Sequence, residues 1–104
     1  MQNTRILVLT SHEAIRAILL RLINQRDEWQ ALGAESCETV YQMIKQEKFD
    51  LLLLGSGFSE VEEQEVENAF LAKNPKGLAV KHYGGGSGLL YNEIQAAIGQ
   101  KQTI

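Results

Sequence analysis

Apolar residues in this chain fall into short dense runs, and polar stretches with helical spacing separate them. "RILVLT" (Arg5–Thr10) is β-branched-rich and almost wholly apolar, the pattern of a strand covered on both faces. "HEAIRAILLRLINQ" then repeats Ile15, Ile18, Leu19, Leu22 and Ile23 at helical spacing. Ser11 is its predicted N-cap, and Glu13 suits the first turn. "EWQALGAE" (Glu28–Glu35) sets Trp29, Ala31 and Gly33 on one side and Gln30, Leu32 and Ala34 on the other, a strand nearer an edge. "SCETVYQMIKQEK" places Val40, Met43 and Ile44 on one helical face. "FDLLLLG" (Phe49–Gly55) is the most hydrophobic run and reads as the central strand. "SEVEEQEVENAFLAKN" opens with Ser59 and Glu62 at capping-box spacing and carries a thin stripe of Val61, Val66, Ala69 and Phe70. After the turn "NPKG" comes a fourth strand, "KGLAVKHY", and a last helix, "GLLYNEIQAAIGQ", with Leu90, Ile94, Ala97 and Ile98 inward.

The order is βαβαβαβα. Right-handed crossovers then give a flavodoxin-like three-layer α/β/α sandwich whose four-stranded parallel sheet is ordered 2-1-3-4. Ligands of such sheets bind beyond the carboxyl ends of the strands, so any chemistry is expected there. A length of 104 residues suits one domain, taken as 1–104.

Composition narrows the classes. A formal charge of -3 with no Lys/Arg cluster argues against a nucleic-acid or anionic-membrane binder. The single cysteine, Cys37, cannot form an internal disulfide, and no Cys/His metal set is present. Apolar runs are too short for a membrane span, and no signal peptide is recognisable, so a cytoplasmic location is the default expectation. No cofactor is implied.

"RILVLTSHEAIRAILLRLI" and "EWQALGAESCETVYQMIKQEKFDLLLLG", about residues 5–57, resemble the first half of a response-regulator receiver domain, a CheY-like, flavodoxin-like phosphoacceptor module. Asp50 opens the third strand as an Asp does in that family. The resemblance implies two metal-holding acids after the first strand and a phosphoacceptor Asp ending the third. Here those positions are Thr10, Ser11 and Gly55. Phosphoryl transfer of this kind needs a hard cation held by carboxylates, and Glu13 alone does not supply them. One βα unit of the five-stranded receiver is also missing. The architecture is similar, too, to sugar phosphotransferase IIB domains, but "TSHEA" lacks the phosphocysteine that their first loop carries.

The most conspicuous loop is "HYGGGSG". Its glycine amides, with Ser87 and the following helix N-terminus, could hold an anion. It matches neither a P-loop nor a dinucleotide fingerprint, and glycine freedom with Ser87 as a cap explains it as a plain connection. His12 and His82 are placed at strand ends beside Ser11, yet a catalytic pair needs an orienting third group and an oxyanion site that the sequence does not show. Cys37 reads as an inert thiol, and Glu60, Glu62, Glu63, Glu65 and Glu67 as a solvated helix face rather than a docking face. Trp29 and Tyr41 either join the core or help cover an edge in a dimer.

The expectation is a non-catalytic regulatory or protein-interaction module, not an enzyme, that forms a homodimer and binds a protein partner. The competing expectation is a small-ligand or phosphate/nucleotide site. It would use Thr10, Ser11, His12, Gly55, Ser56, His82, Tyr83 and the Gly84–Gly88 loop with Gly85, Gly86 and Ser87.

Overall fold

The structure, a computed structural model, describes residues 4–82 and 87–102. Strands β1 (Thr4–Leu9), β2 (Trp29–Ala34), β3 (Leu51–Leu54) and β4 (Leu78–Lys81) alternate with helices α1 (Glu13–Asn24), α2 (Cys37–Gln46), α3 (Glu60–Lys73) and α4 (Ser87–Gln102). All three pairings are parallel and the strand order is β2-β1-β3-β4, as the sequence pattern predicts. β1 and β3 are central, and every residue of Leu51–Leu54 is fully buried.

Strand alternation divides the unbroken apolar runs between two cores. Ile6, Val8, Leu51 and Leu53 point to one face, where Leu19 and Ile23 of α1 and Leu90 and Ile94 of α4 cover them. Leu7, Leu9, Leu52 and Leu54 point to the other, beneath Val40 of α2 and Val66 and Phe70 of α3. Each such fully buried side chain contributes roughly 1.5–3 kcal/mol. Trp29 belongs to the first core, its ring 5.8 Å from that of Tyr91, whose hydroxyl donates to the Leu22 carbonyl and so ties α4 to α1.

Side-chain bonds fix the lower end of the sheet and one of its edges. Arg5 N–H donates to the Asp50 carboxylate at 2.8 Å, so the Asp that opens the β3 run aligns it with β1. On the outer edge of β2, the Asn24 amide both accepts from Ala31 N–H at 2.8 Å and donates to its carbonyl at 3.1 Å. This imitates a neighbouring strand and removes the groups that attract foreign ones.

Three details of the sequence reading change. Ile15 and Ile18 are 45% and 48% exposed, because the apolar residues of α1 span more arc than the contact with β1 and β2 can cover. Val61 lies outside the buried stripe of α3, at 67% exposed, and Glu63 takes an inward position instead. Ser11 does not cap α1. His12 is the N-cap, without a side-chain cap bond, and its own N–H donates to Thr10 Oγ1. The capping box of Ser59 and Glu62 is present as the spacing predicts. No described helix is long and apolar enough to cross a membrane.

Candidate functional site

Thr10, Ser11, His12, Gly55, Ser56 and His82 all follow the carboxyl ends of strands, at the end of the sheet where parallel α/β folds bind ligands. Tyr83, Gly84, Gly85 and Gly86 lie outside the described residues, as does the side chain of Ser87. The described part has two unlike halves.

Beyond β1 and β3 the chain is packed tightly around Thr10 and two glycines. Thr10 is fully buried. Its N–H donates to the Ala34 carbonyl, its hydroxyl donates to the Ser56 carbonyl at 3.1 Å, and its own carbonyl accepts from Arg16 at 2.7 Å. These bonds occupy Thr10 in joining the β1 and β3 loops. Gly55 N–H donates to the Leu9 carbonyl at 2.7 Å, and a Cβ at Gly55 would come within 2.9 Å of the Thr10 Cβ. Gly57 has φ of 108°, where a side chain is strained, and a Cβ there would collide with the Ser11 hydroxyl. Glycine at both positions thus lets the β3–α3 loop close against the β1–α1 loop.

The half beyond β4 is held by side chains that reach acids on the flanking helices. Successive residues of a strand point to opposite faces, and Lys81 and His82 each grip the helix on their own side. Lys81 Nζ lies 3.6 Å from the Glu63 carboxylate of α3. Buried His82 meets the Glu93 carboxylate of α4 through Nδ1, while its N–H donates to the Leu54 carbonyl. His12 is exposed on the other side of the site, and no bond joins it to His82. Ser11 is likewise exposed. The structure therefore shows no relay of nucleophile, base and orienting group among these described residues.

A magnesium ion of the receiver type does not fit this donor set. The positions after β1 offer one hydroxyl engaged with a carbonyl and one pressed against Gly57, and Gly55 offers no side chain. Hard cations take carboxylate oxygens, and no group of three or more His, Cys, Asp or Glu that could hold a metal occurs among the described residues.

The acids near the start of α3 act elsewhere. Burial pushes the Cys37 thiol above its ordinary pKa, and the carboxylates of Glu62 and Glu65 add to the rise. The Tyr41 hydroxyl is raised in the same way, by burial first and then by Cys37, Glu65 and Glu62. The thiol is thus held in its unreactive neutral form.

Sequence reasoning took Gly55 and the Gly84–Gly86 run as the glycines of interest and passed over Gly57, although "GSGFSE" brings a glycine just before a capping box. The partners of Lys81 and His82 had no local signal, since Glu63 is 18 residues before Lys81 and Glu93 is 11 residues after His82.

No family model and no curated protein matches this chain. Solved structures do. The response-regulator domain of CheB from Thermotoga maritima superposes with a TM-score of 0.67 over 92% of this chain and 74% of that one, at 13% identity. The signal receiver domain of an HD domain-containing protein from Pseudomonas fluorescens gives 0.67 over 97% and 98%, at 11% identity. A protein described as pilus assembly-related from Burkholderia pseudomallei gives 0.63 over 90% and 72%, at 16% identity. What these likenesses share with the strand order and the two-sided core is architecture: the chain has a receiver-like, flavodoxin-like fold built on four parallel strands.

Proposed function

We propose that this chain is a regulatory module of receiver fold that acts by binding protein rather than by carrying an aspartyl phosphate, and that it is not an enzyme. The observation that carries the reading is the packing at Gly55. The place where a phosphoacceptor side chain would start is taken by the Thr10 Cβ, and the flanking hydroxyls are committed to a carbonyl and to a tight glycine contact. An acid there would have to displace Thr10 and would be driven against the Leu9 carbonyl oxygen, which is costly. The similar folds of the CheB domain and of the Burkholderia protein described as pilus assembly-related support a role in regulating or assembling other proteins. Net charge of -3 and the absence of a basic cluster in the sequence favour a protein partner over nucleic acid or an anionic membrane. One domain, a homodimer and a cytoplasmic setting complete the reading.

The test is an amide NMR spectrum of labelled protein titrated with Mg²⁺ plus a phosphoryl analogue, then with inorganic phosphate and with nucleotides, alongside intact mass after incubation with acetyl phosphate. The expected result is an unchanged mass and no localised shift. A phosphoryl adduct would overturn the reading, and shifts confined to the amides of residues 10–12 and 82–88 would replace it with an anion site at the glycine loop.

A further inference from the structure

The helices α2 and α3 form an outer face whose centre is apolar and whose ends carry opposite charge. Tyr41, Ile44, Ala69 and Ala72 line an open groove between them, and Lys45 and Lys73 close its lower end. At the upper end stand Glu62 and Glu65, near enough to Cys37 and Tyr41 to hold both side chains neutral in concert with burial. Along α3 the order is Glu65, Ala69, Lys73, at steps of four residues, so all three share one stripe. Along α2 the same direction runs from Glu38 in the first turn to Lys45 in the last. Acids at helix starts and lysines at helix ends suit the helix dipoles, which makes the polarity intrinsic to two parallel helices. Glu47, two residues after Lys45, is already paired with Arg5 and subtracts little from the positive end.

A face that is negative at one end, positive at the other and apolar in the middle is complementary to itself when turned through a two-fold axis. We propose that the α2–α3 face is the self-association surface of this protein, with a second copy of the chain packed antiparallel across it and the axis passing near Ala69. That operation lays Glu65 of one copy against Lys73 of the other along α3, and Glu38 against Lys45 along α2, each twice. The small side chains of Ala69 and Ala72 let the two α3 helices approach closely, while Tyr41 and Ile44 supply the half-buried apolar contact. The edge of β4 suits self-pairing less well. Lys76 and the exposed Lys81 flank it, and an antiparallel pair through β4 would bring four lysines to the seam.

The proposal deepens the interaction reading by naming surface and partner, and it is read by association, independently of the phosphate and acetyl-phosphate titrations. Two helices of about 15 and 21 Å side by side make a face at the small end of specific interfaces, so a dimer in the micromolar range is expected. The experiment is sedimentation velocity on the full chain over a concentration series, with circular dichroism to confirm folding of each variant. Glu65→Lys alone and the pair Lys45→Glu with Lys73→Glu alone should each weaken the dimer by about tenfold at low salt. A mixture of those two variants should pair with each other more tightly than either pairs with itself. Ala69→Arg should abolish the dimer with the fold intact. A wild type that stays monomeric at every concentration would overturn the proposal. So would a dimer indifferent to both charge reversals and to Ala69→Arg.

Discussion

The two halves of the strand-end surface are held closed by different physics. Beyond β1 and β3 the closure is steric. Thr10 is bonded on every side, and Gly55 and Gly57 owe their identity to backbone and hydroxyl groups that leave no room for a Cβ. Beyond β4 the closure is electrostatic, with Lys81 and His82 reaching acids on α3 and α4 across opposite faces of the sheet. Steric closure is insensitive to salt and intolerant of added atoms. Electrostatic closure tolerates changes of shape and weakens as charge is removed or screened. The half beyond β1 and β3 is thus the one least able to accept an added side chain.

The comparison can be broken most severely at Gly55. Gly55→Asp should cost more than about 3 kcal/mol, since it combines overpacking against Thr10 with burial of a carboxylate beside the Leu9 carbonyl oxygen. Urea melts would show a large fall in midpoint, and a variant as stable as the parent would mean that the two loops are not locked. Gly57→Ala should cost about 1–3 kcal/mol through its positive φ and the Ser11 contact. Part of that loss should return in the double variant Ser11→Gly, Gly57→Ala, which separates the contact from the dihedral strain.

On the electrostatic side the effects are smaller. His82→Ala should cost about 1–3 kcal/mol by leaving Glu93 without its partner, and should loosen α4 in hydrogen exchange before any other helix. Lys81→Gln removes a pair in which the lysine is half exposed, so a loss of no more than about 1 kcal/mol is expected, vanishing in molar salt. Equal salt sensitivity of Gly57→Ala and Lys81→Gln would erase the distinction between the halves.

The smallest effect concerns Cys37. Its pKa is raised in the folded protein, so the neutral thiol is favoured and its contribution to stability holds below the unfolded pKa. That contribution is lost as pH rises through the folded value. Alkylation at neutral pH should be slower than for an unfolded peptide, and Glu65→Gln should speed it slightly. An alkylation rate matching that of the peptide would remove the acids of α3 from the environment of Cys37.

Much of the fold was legible in the residues. Short apolar runs with helical segments between them carry the strand-helix alternation, and parallel crossovers then leave few topologies open. Asp50, the capping box at Ser59 and Glu62, and the all-leucine run of β3 are local signals, and the structure places each where its pattern implies. The exposure of Ile15 and Ile18 was not legible, because periodicity shows which residues share an arc of a helix and not how wide a sheet lies beneath it.

The site divides in the same way. That Thr10, Ser11, Gly55 and His82 stand at strand ends follows from the order of elements, which a sequence encodes directly. That Thr10 bonds across to Ser56, 46 residues away, follows only from the register of β1 against β3. The sequence by itself determined the chemistry available at the strand ends, because residue identity settles which donors and charges exist. Tertiary structure decided which of those groups are spent on one another, since hydrogen bonds and steric contacts depend on distances that chain separation does not set.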